Sequence, residues 1–162
     1  MTRSVHVSSS SKQDYRTPME FVRLVESNFN LQFAVDAAAS EENTKCHEFY
    51  DEEDNSLGID WGVDFPFLVG HRHAVWLNPP FKRLDPWMAK CAEQAVNGVK
   101  IVSLTLAGTS QGWYLNHVLG NAMVLQLRER MIFEGETQPY PKDLMVCLWG
   151  MGMVGQGWWS WK

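Results

Sequence analysis

From residue 17 onward, apolar positions alternate between the helical spacing of three and four and the short dense runs of strands. Phe21, Leu24, Val25 and Phe29 share one face of a helix that opens at Thr17-Pro18 and carries its apolar face to about Ser27. Threonine suits an N-cap, proline the first turn, and Glu20 stands three residues past Thr17, as in a capping box. Leu31 to Val35 reads as a first buried strand, His47 to Tyr50 as a short second one, and Ala74 to Leu77 as a central one. Trp87, Met88, Cys91 and Ala95 form the apolar face of a helix capped by Asp85, started by Pro86 and ended by Gly98. Val99 to Leu106 is almost continuously apolar, as a strand covered on both faces should be. Thr109 to Leu119 predicts a short helix, with Trp113 and His117 as a packed pair. Ala122 to Leu127 and Asp143 to Trp149 predict two late strands. Gly62 to Arg72 and Arg128 to Lys142 carry the glycines and prolines of irregular surface segments. This alternation of strands and helices predicts an α/β domain.

The 162 residues suffice for one domain. We place it at 14–150, between an N-terminal flexible arm at 1–13 and a Gly/Trp-rich tail at 151–162. The tail is expected to pack back onto the domain or onto a second subunit, so an oligomer through the tail is one outcome. Composition, at 45% hydrophobic and 20% charged, is that of a soluble globular protein. No apolar run is long enough to span a bilayer, and the Ser-rich start lacks the apolar core of a secretory signal. The expected partners exclude a membrane, and the expected location is the cytoplasm. Cys46, Cys91 and Cys147 have neither disulfide nor zinc spacing and read as reduced core thiols. His71 and His73 lack partners for a metal, and no metal is expected. The net charge of −5 argues against a bulk electrostatic binder of nucleic acid. Any phosphate contact must come from local cations: Lys82 with Arg83, Arg128 with Arg130, or Lys12 with Arg16. Each also fits an ordinary solvated surface charge.

The chemistry-bearing stretch is Asn78-Pro79-Pro80-Phe81, where the central strand stops. Proline lacks the ladder N–H and pushes the preceding residue out of the helical region. Asn78 is therefore held at the carboxyl edge of a sheet, where open α/β folds bind ligands. Its amide, the Pro79 carbonyl and the Phe81 ring form a stiff cradle for a planar molecule with an amino group. The four residues alone also fit a strand-ending turn. Asp36, at the end of the first strand, is followed by Ala37-Ala38-Ala39-Ser40, small residues that let a ligand reach the backbone. Asp36 could equally cap a helix.

Asn78-Pro79-Pro80-Phe81 resembles the (Asn/Asp/Ser)-Pro-Pro-(Tyr/Phe) motif of S-adenosylmethionine-dependent methyltransferases that modify amino or amide nitrogens. The chain more specifically resembles the phage-type DNA adenine methyltransferase (Dam) family. Tyr15-Arg16-Thr17-Pro18, Phe33 to Ser40, Asn43 to Cys46, Asp54 to Leu57, Asp60-Trp61 and Arg130 to Phe133 match it in order. Glu129 stands where that family has glycine, and the Gly-x-Gly loop of the wider methyltransferases is absent. The resemblance implies a Rossmann-like methyltransferase fold, a mostly parallel sheet with an antiparallel closing strand. It implies S-adenosyl-L-methionine as cofactor, held by Thr17, Pro18, Asp36, Ala37, Asp60 and Trp61. It also implies catalysis at Asn78, Pro79, Pro80 and Phe81 on a flipped adenine of double-stranded DNA, with Lys82, Arg83, Arg128 and Arg130 on the DNA. The alternatives are another nitrogen acceptor, RNA guanine or protein glutamine, and a non-catalytic binding protein on a degenerate methyltransferase fold.

Overall fold

The structure, a computed structural model, describes residues 14–162. The expected arm, and Lys12 within it, lies outside the described residues. The strands are β1 (Gln32–Asp36), β2 (Glu48–Phe49), β3 (His73–Leu77), β4 (Lys100–Leu106), β5 (Ala122–Leu127), β6 (Leu144–Trp149) and β7 (Gly155–Trp159). They form one sheet in the order β2-β1-β3-β4-β6-β5-β7. β6 runs antiparallel to β4 and β5, and every other pairing is parallel. This is the expected α/β arrangement of Rossmann-like type.

Residue alternation in the strands builds a core on each face of the sheet. Val75 and Leu77 of β3 join Ile101, Cys147 and Trp149 on one face, under α3 (Leu84–Val96) and α2 (Trp61–Asp64). Ala74 and Trp76 point the other way and join Val102, Leu104, Val146 and Leu148 under α1 (Met19–Phe29). Full burial of side chains of this size is worth roughly 1.5–3 kcal/mol each. Trp149 keeps its indole N–H satisfied by donating to Ser103 Oγ at 3.0 Å.

Local signals placed the strands well and the caps poorly. α1 begins at Met19 after an N-cap Pro18 that offers no side chain, so Thr17 does not cap it. Leu84 already belongs to α3, which puts Asp85 and Pro86 inside its first turn. The segment expected to be irregular, Gly62 to Arg72, carries all but the first residue of α2 and a 3₁₀ turn at Pro66–Leu68. Asp60 caps α2 by accepting from the N–H groups of Gly62 and Val63. The region after β4 closes in a π-helical turn, Tyr114–Val118. There His117 meets Asp85 at 3.3 Å instead of pairing with Trp113.

The tail supplies β7, which adds to the sheet beside β5. Trp159 packs on Phe21 and Phe29 at ring-centroid distances of 5.6 and 5.4 Å, and Trp161 packs on Phe21 at 4.9 Å. Glu129 fastens this arrangement: its carboxylate accepts from Ser160 Oγ at 2.5 Å and from the Trp161 N–H at 3.1 Å.

Candidate active site

β1 and β3 are neighbours whose onward connections lead to opposite sides of the sheet. Such a reversal opens a crevice at the carboxyl edge, where α/β sheets bind ligands. Asp36 ends one of these strands and Asn78 follows the other. Residues 14–17, entering α1, form one wall of the crevice.

The Asn78 side chain is fixed by that wall. Its Nδ2 donates to the Tyr15 carbonyl at 2.6 Å and to Thr17 Oγ1 at 3.2 Å. A carbonyl can only accept, so the Tyr15 contact decides which end of the amide is nitrogen. Both N–H groups are engaged, and Oδ1 is left as the remaining acceptor of the side chain. Thr17 is buried for this contact rather than spent on a helix cap. Pro79 is buried, Pro80 lines the crevice, and the Pro80 carbonyl accepts from the Arg83 N–H at 3.0 Å, turning the chain back toward α3.

On the β1 side the crevice is a cavity of about 670 Å³, floored by Asp36 and Ala37-Ala38-Ala39 and closed by Asn55, Ser56 and Leu57. Asp36 is 3% exposed, and its oxygens accept from the N–H groups of Ala38 at 3.4 Å and Lys45 at 2.9 Å. Burial raises its pKa from 3.8 to about 6, against the pull of these two bonds and of the Lys45 charge. A carboxylate so placed gains from a cationic ligand. Asp51, Glu52 and Glu53, just beyond β2, add carboxylates to the same cavity. Asp51 Oδ1 holds the N–H groups of Glu53 and Asp54 at 2.8 and 3.1 Å, which shapes that acidic turn.

On the β4 side lies a second cavity of about 750 Å³. Phe81, Lys82 and Arg83 form one wall, Gly108, Gln111 and Trp113 another, and Lys142 and Asp143 a third. Arg83 lines both cavities. A Cβ at Gly108 would sit 3.0 Å from the side chains of Gln111 and of Trp113, so glycine lets this loop close. Phe81 stacks on Tyr15 at 6.3 Å with 19° between planes and meets the edge of Tyr140 at 5.8 Å. Tyr15 also touches Phe133 at 5.0 Å and Tyr140 at 4.9 Å. One side of Phe81 is thus backed by aromatics while the ring borders the second cavity.

The structure brings Thr17, Asp36, Ala37, Asn78, Pro80 and Arg83 together around the first cavity, and Phe81, Lys82 and Arg83 around the second. Asp60 and Trp61 stand behind the cavity instead of in it. Asp60 caps α2 and accepts from Asn97 Nδ2 at 3.3 Å. Trp61 is fully buried and donates from Nε1 to the Ser56 carbonyl at 3.0 Å, holding the wall from outside. Pro18 serves the start of α1, its carbonyl accepting from the Phe21 N–H. Arg128 is exposed beside the tail strand, its N–H donating to the Trp159 carbonyl. Arg130 pairs at 3.7 Å with Asp143, at the margin of the second cavity. Tyr15 and Phe133 entered the sequence reading only as positions matching the family and Trp113 only as half of a packed pair, while Glu134, Tyr140 and Lys142 were not among its site residues. Pro139-Tyr140-Pro141 was the one available signal, an aromatic stiffened by prolines inside a polar excursion. Among the described residues, no helix is long and apolar enough to cross a membrane.

A family model described as DNA N-6-adenine-methyltransferase (Dam) matches residues 4–139. A DNA N-6-adenine-methyltransferase of Escherichia phage T1 is 37% identical over 100 residues, covering 62% of this chain and 38% of that protein. Another, of Haemophilus phage HP1 (strain HP1c1), is 29% identical over 116 residues, covering 70% of this chain and 61% of that protein. The chain thus spans less than two thirds of the length of either relative. A provisionally assigned modification subunit of a type I restriction enzyme from Vibrio vulnificus YJ016 superposes with a TM-score of 0.51 at 10% identity. The match covers 90% of this chain and 46% of that one, a likeness of fold alone.

Proposed function

The chain belongs to the DNA N-6-adenine-methyltransferase (Dam) family, and from that premise we propose that it transfers a methyl group from S-adenosylmethionine to the exocyclic nitrogen of adenine in DNA. The observation that carries this reading is the fixed amide of Asn78, with Nδ2 tied to Tyr15 and Thr17 and Oδ1 left to accept.

The first cavity suits the cofactor. The alanines leave backbone accessible, Asp36 is a buried carboxylate that favours a cation, and Asp51 to Glu53 stand beyond β2, where α/β folds bind ribose hydroxyls. When bound, S-adenosylmethionine supplies a methyl group already activated on a sulfonium. Asp36 would balance positive charge in a dry setting, and Asn55 to Leu57 would cover the bound cofactor from the cavity wall.

Adenine reaches Asn78 from the second cavity, its ring against Phe81. In a duplex its amino group is out of reach, so the base must leave the stack. Asn78 Oδ1 and the Pro79 carbonyl accept the two amino hydrogens, which draws the nitrogen lone pair out of conjugation and aims it along the transfer line. The gain comes from positioning and preorganised dipoles. A carbonyl is too weak a base to keep the proton lost after transfer, which passes to water. Lys82, Arg83 and Lys142 hold the phosphates flanking the extruded nucleotide.

The test offers tritiated cofactor with unmethylated double-stranded DNA, total RNA and protein extract in parallel at low salt. Label recovered as N6-methyladenine from DNA is the expected result. Label confined to RNA guanine or protein glutamine would keep the chemistry and overturn the acceptor. Absence of label together with absence of cofactor binding would overturn the enzyme reading.

A further inference from the structure

The excursion between β5 and β6 reaches back to the wall that holds Asn78. Phe133 packs on the Tyr15 ring, and the Glu134 N–H donates to the Arg16 carbonyl at 2.8 Å. The Glu134 carboxylate accepts from the Met19 N–H at 3.2 Å. Gly135, at φ +79°, turns the chain so that the Glu136 N–H returns to the Phe133 carbonyl at 3.0 Å. Glu134 is thereby presented at the second position of a tight turn. Met19 opens α1 behind Pro18, which provides no capping side chain. Glu134 supplies that acceptor from 115 residues away. The same carboxylate takes the Lys45 ammonium at 3.2 and 3.3 Å, with the Lys45 side chain only 8% exposed.

Arg16 and Met19 bracket Thr17, and the Tyr15 carbonyl and Thr17 hydroxyl are the groups that orient the Asn78 amide. We propose that Glu134 is a positioning residue for methyl transfer: by pinning residues 16 to 19 it sets the rotation of the Asn78 amide. This inference rests on the role given to Asn78 above. The Asp14–Asn43 hydrogen bond and the exposed pairs of Arg16 with Glu42 and Asp14 also tie this segment. Exposed pairs of this kind hold position weakly in water. Released from Glu134, the Tyr15 carbonyl drifts, and Nδ2 and Oδ1 of Asn78 turn with it. The residue touches neither reactant and acts through the segment.

The test compares wild type, Glu134→Ala, Glu134→Gln and Thr17→Val, with Glu134→Ala also built on Thr17→Val. Glu134→Ala is expected to lower kcat roughly 10- to 100-fold, the scale of a reacting group misplaced by an ångström. Its calorimetric Kd for S-adenosylmethionine should stay at the wild-type value, and Glu134→Gln, which keeps an acceptor for Met19, should recover part of kcat. On Thr17→Val, the second change should remove little more, because both act on one amide. Nuclear magnetic resonance adds a readout independent of turnover: the Asn78 side-chain amide protons exchange slowly in wild type and rapidly in Glu134→Ala. A loss that appears in the cofactor Kd and is reproduced by Lys45→Met would overturn the proposal. So would additive losses in the double variant, or unchanged amide exchange. If the wild type methylates no DNA while the exchange difference holds, the positioning stands and the acceptor assignment falls.

Discussion

The carboxyl edge of the sheet has two halves built from opposite materials. Over β1 and β2 the chain between residues 41 and 60 holds eight carboxylates and one lysine, small residues at 37–40, and a buried acid whose pKa stands near 6. Over β3 and β4, cations are interleaved with rings: Lys82, Arg83 and Lys142 with Phe81, Trp113 and Tyr140. Under the proposed function, one half would take a cationic small molecule and the other a polyanion that yields a planar base. Exposed charges farther apart than a Debye length, ~10 Å at 0.1 M salt, are largely screened from one another, so a ligand responds mainly to the charges nearest it. The net charge of −5 averages over an acidic first half and a second cavity whose lining carries three cations, Lys82, Arg83 and Lys142, against two acids, Asp85 and Asp143. Asn78 lines the first cavity beside Pro80 and Arg83, and Arg83 marks the seam because it borders both cavities.

That division makes the sharpest break predictable. Asn78→Ala removes an acceptor aimed at the reacting nitrogen and should lower kcat by 10² or more, as loss of a preorganised dipole does. Cofactor Kd measured by calorimetry should hardly move, and equal collapse of both would make Asn78 a structural part of the cofactor half. Phe81→Ala acts on the other half alone. Loss of base stacking, worth about 1–3 kcal/mol, should raise KM for DNA roughly 10- to 100-fold, whereas Phe81→Tyr should stay close to wild type. A loss of cofactor affinity in Phe81→Ala would show that the halves are not separable at the seam.

Acid probes the opposite half. With the folded pKa of Asp36 raised from 3.8 to about 6, the folded state binds this proton more tightly than the unfolded chain. The contribution of Asp36 to stability is therefore greatest below pH 4, falls as pH rises to 6, and by neutral pH amounts to about 3 kcal/mol of destabilisation. A bound cation reverses the preference for the proton. Cofactor affinity should thus fall as pH drops through 6, by up to about tenfold per unit, and in Asp36→Asn it should be weak and flat across the same range. Titrations in the calorimeter from pH 5 to 8 check both. A pH-independent affinity in wild type would remove Asp36 from the cofactor contact.

What could be read from the chain follows the range of the interactions involved. β3 and its Asn-Pro-Pro stop were legible because proline acts on its immediate neighbours, and β4 because an apolar run declares itself locally. Thr17 was read as a cap because its near surroundings match one. Its actual partner, Asn78, lies 61 residues on, and tertiary contact overrode a local preference. Asp60 and Trp61 were placed in the cofactor contact by resemblance, yet their chemistry is spent on capping α2 and on the Ser56 carbonyl. Glu134 had no local signature, because its role exists only once the excursion folds back across the sheet edge.

The smallest predicted effect tests the cation-bearing half. Lys142, from the excursion between β5 and β6, lines the second cavity together with Lys82 and Arg83. If it neutralises one phosphate, Lys142→Gln should weaken DNA binding only a few-fold at moderate salt. Its signature is in the slope: log K against log salt should become shallower by about 0.9, the share of a single phosphate on a duplex. Arg83→Gln should show a similar change in slope, with an added loss of cofactor affinity because its side chain borders both cavities. An unchanged slope in Lys142→Gln would mean that the strand leaves the cavity by another path. The same slope change with Arg128→Gln, a residue that lines neither cavity, would extend the DNA contact along the sheet edge to the tail strand.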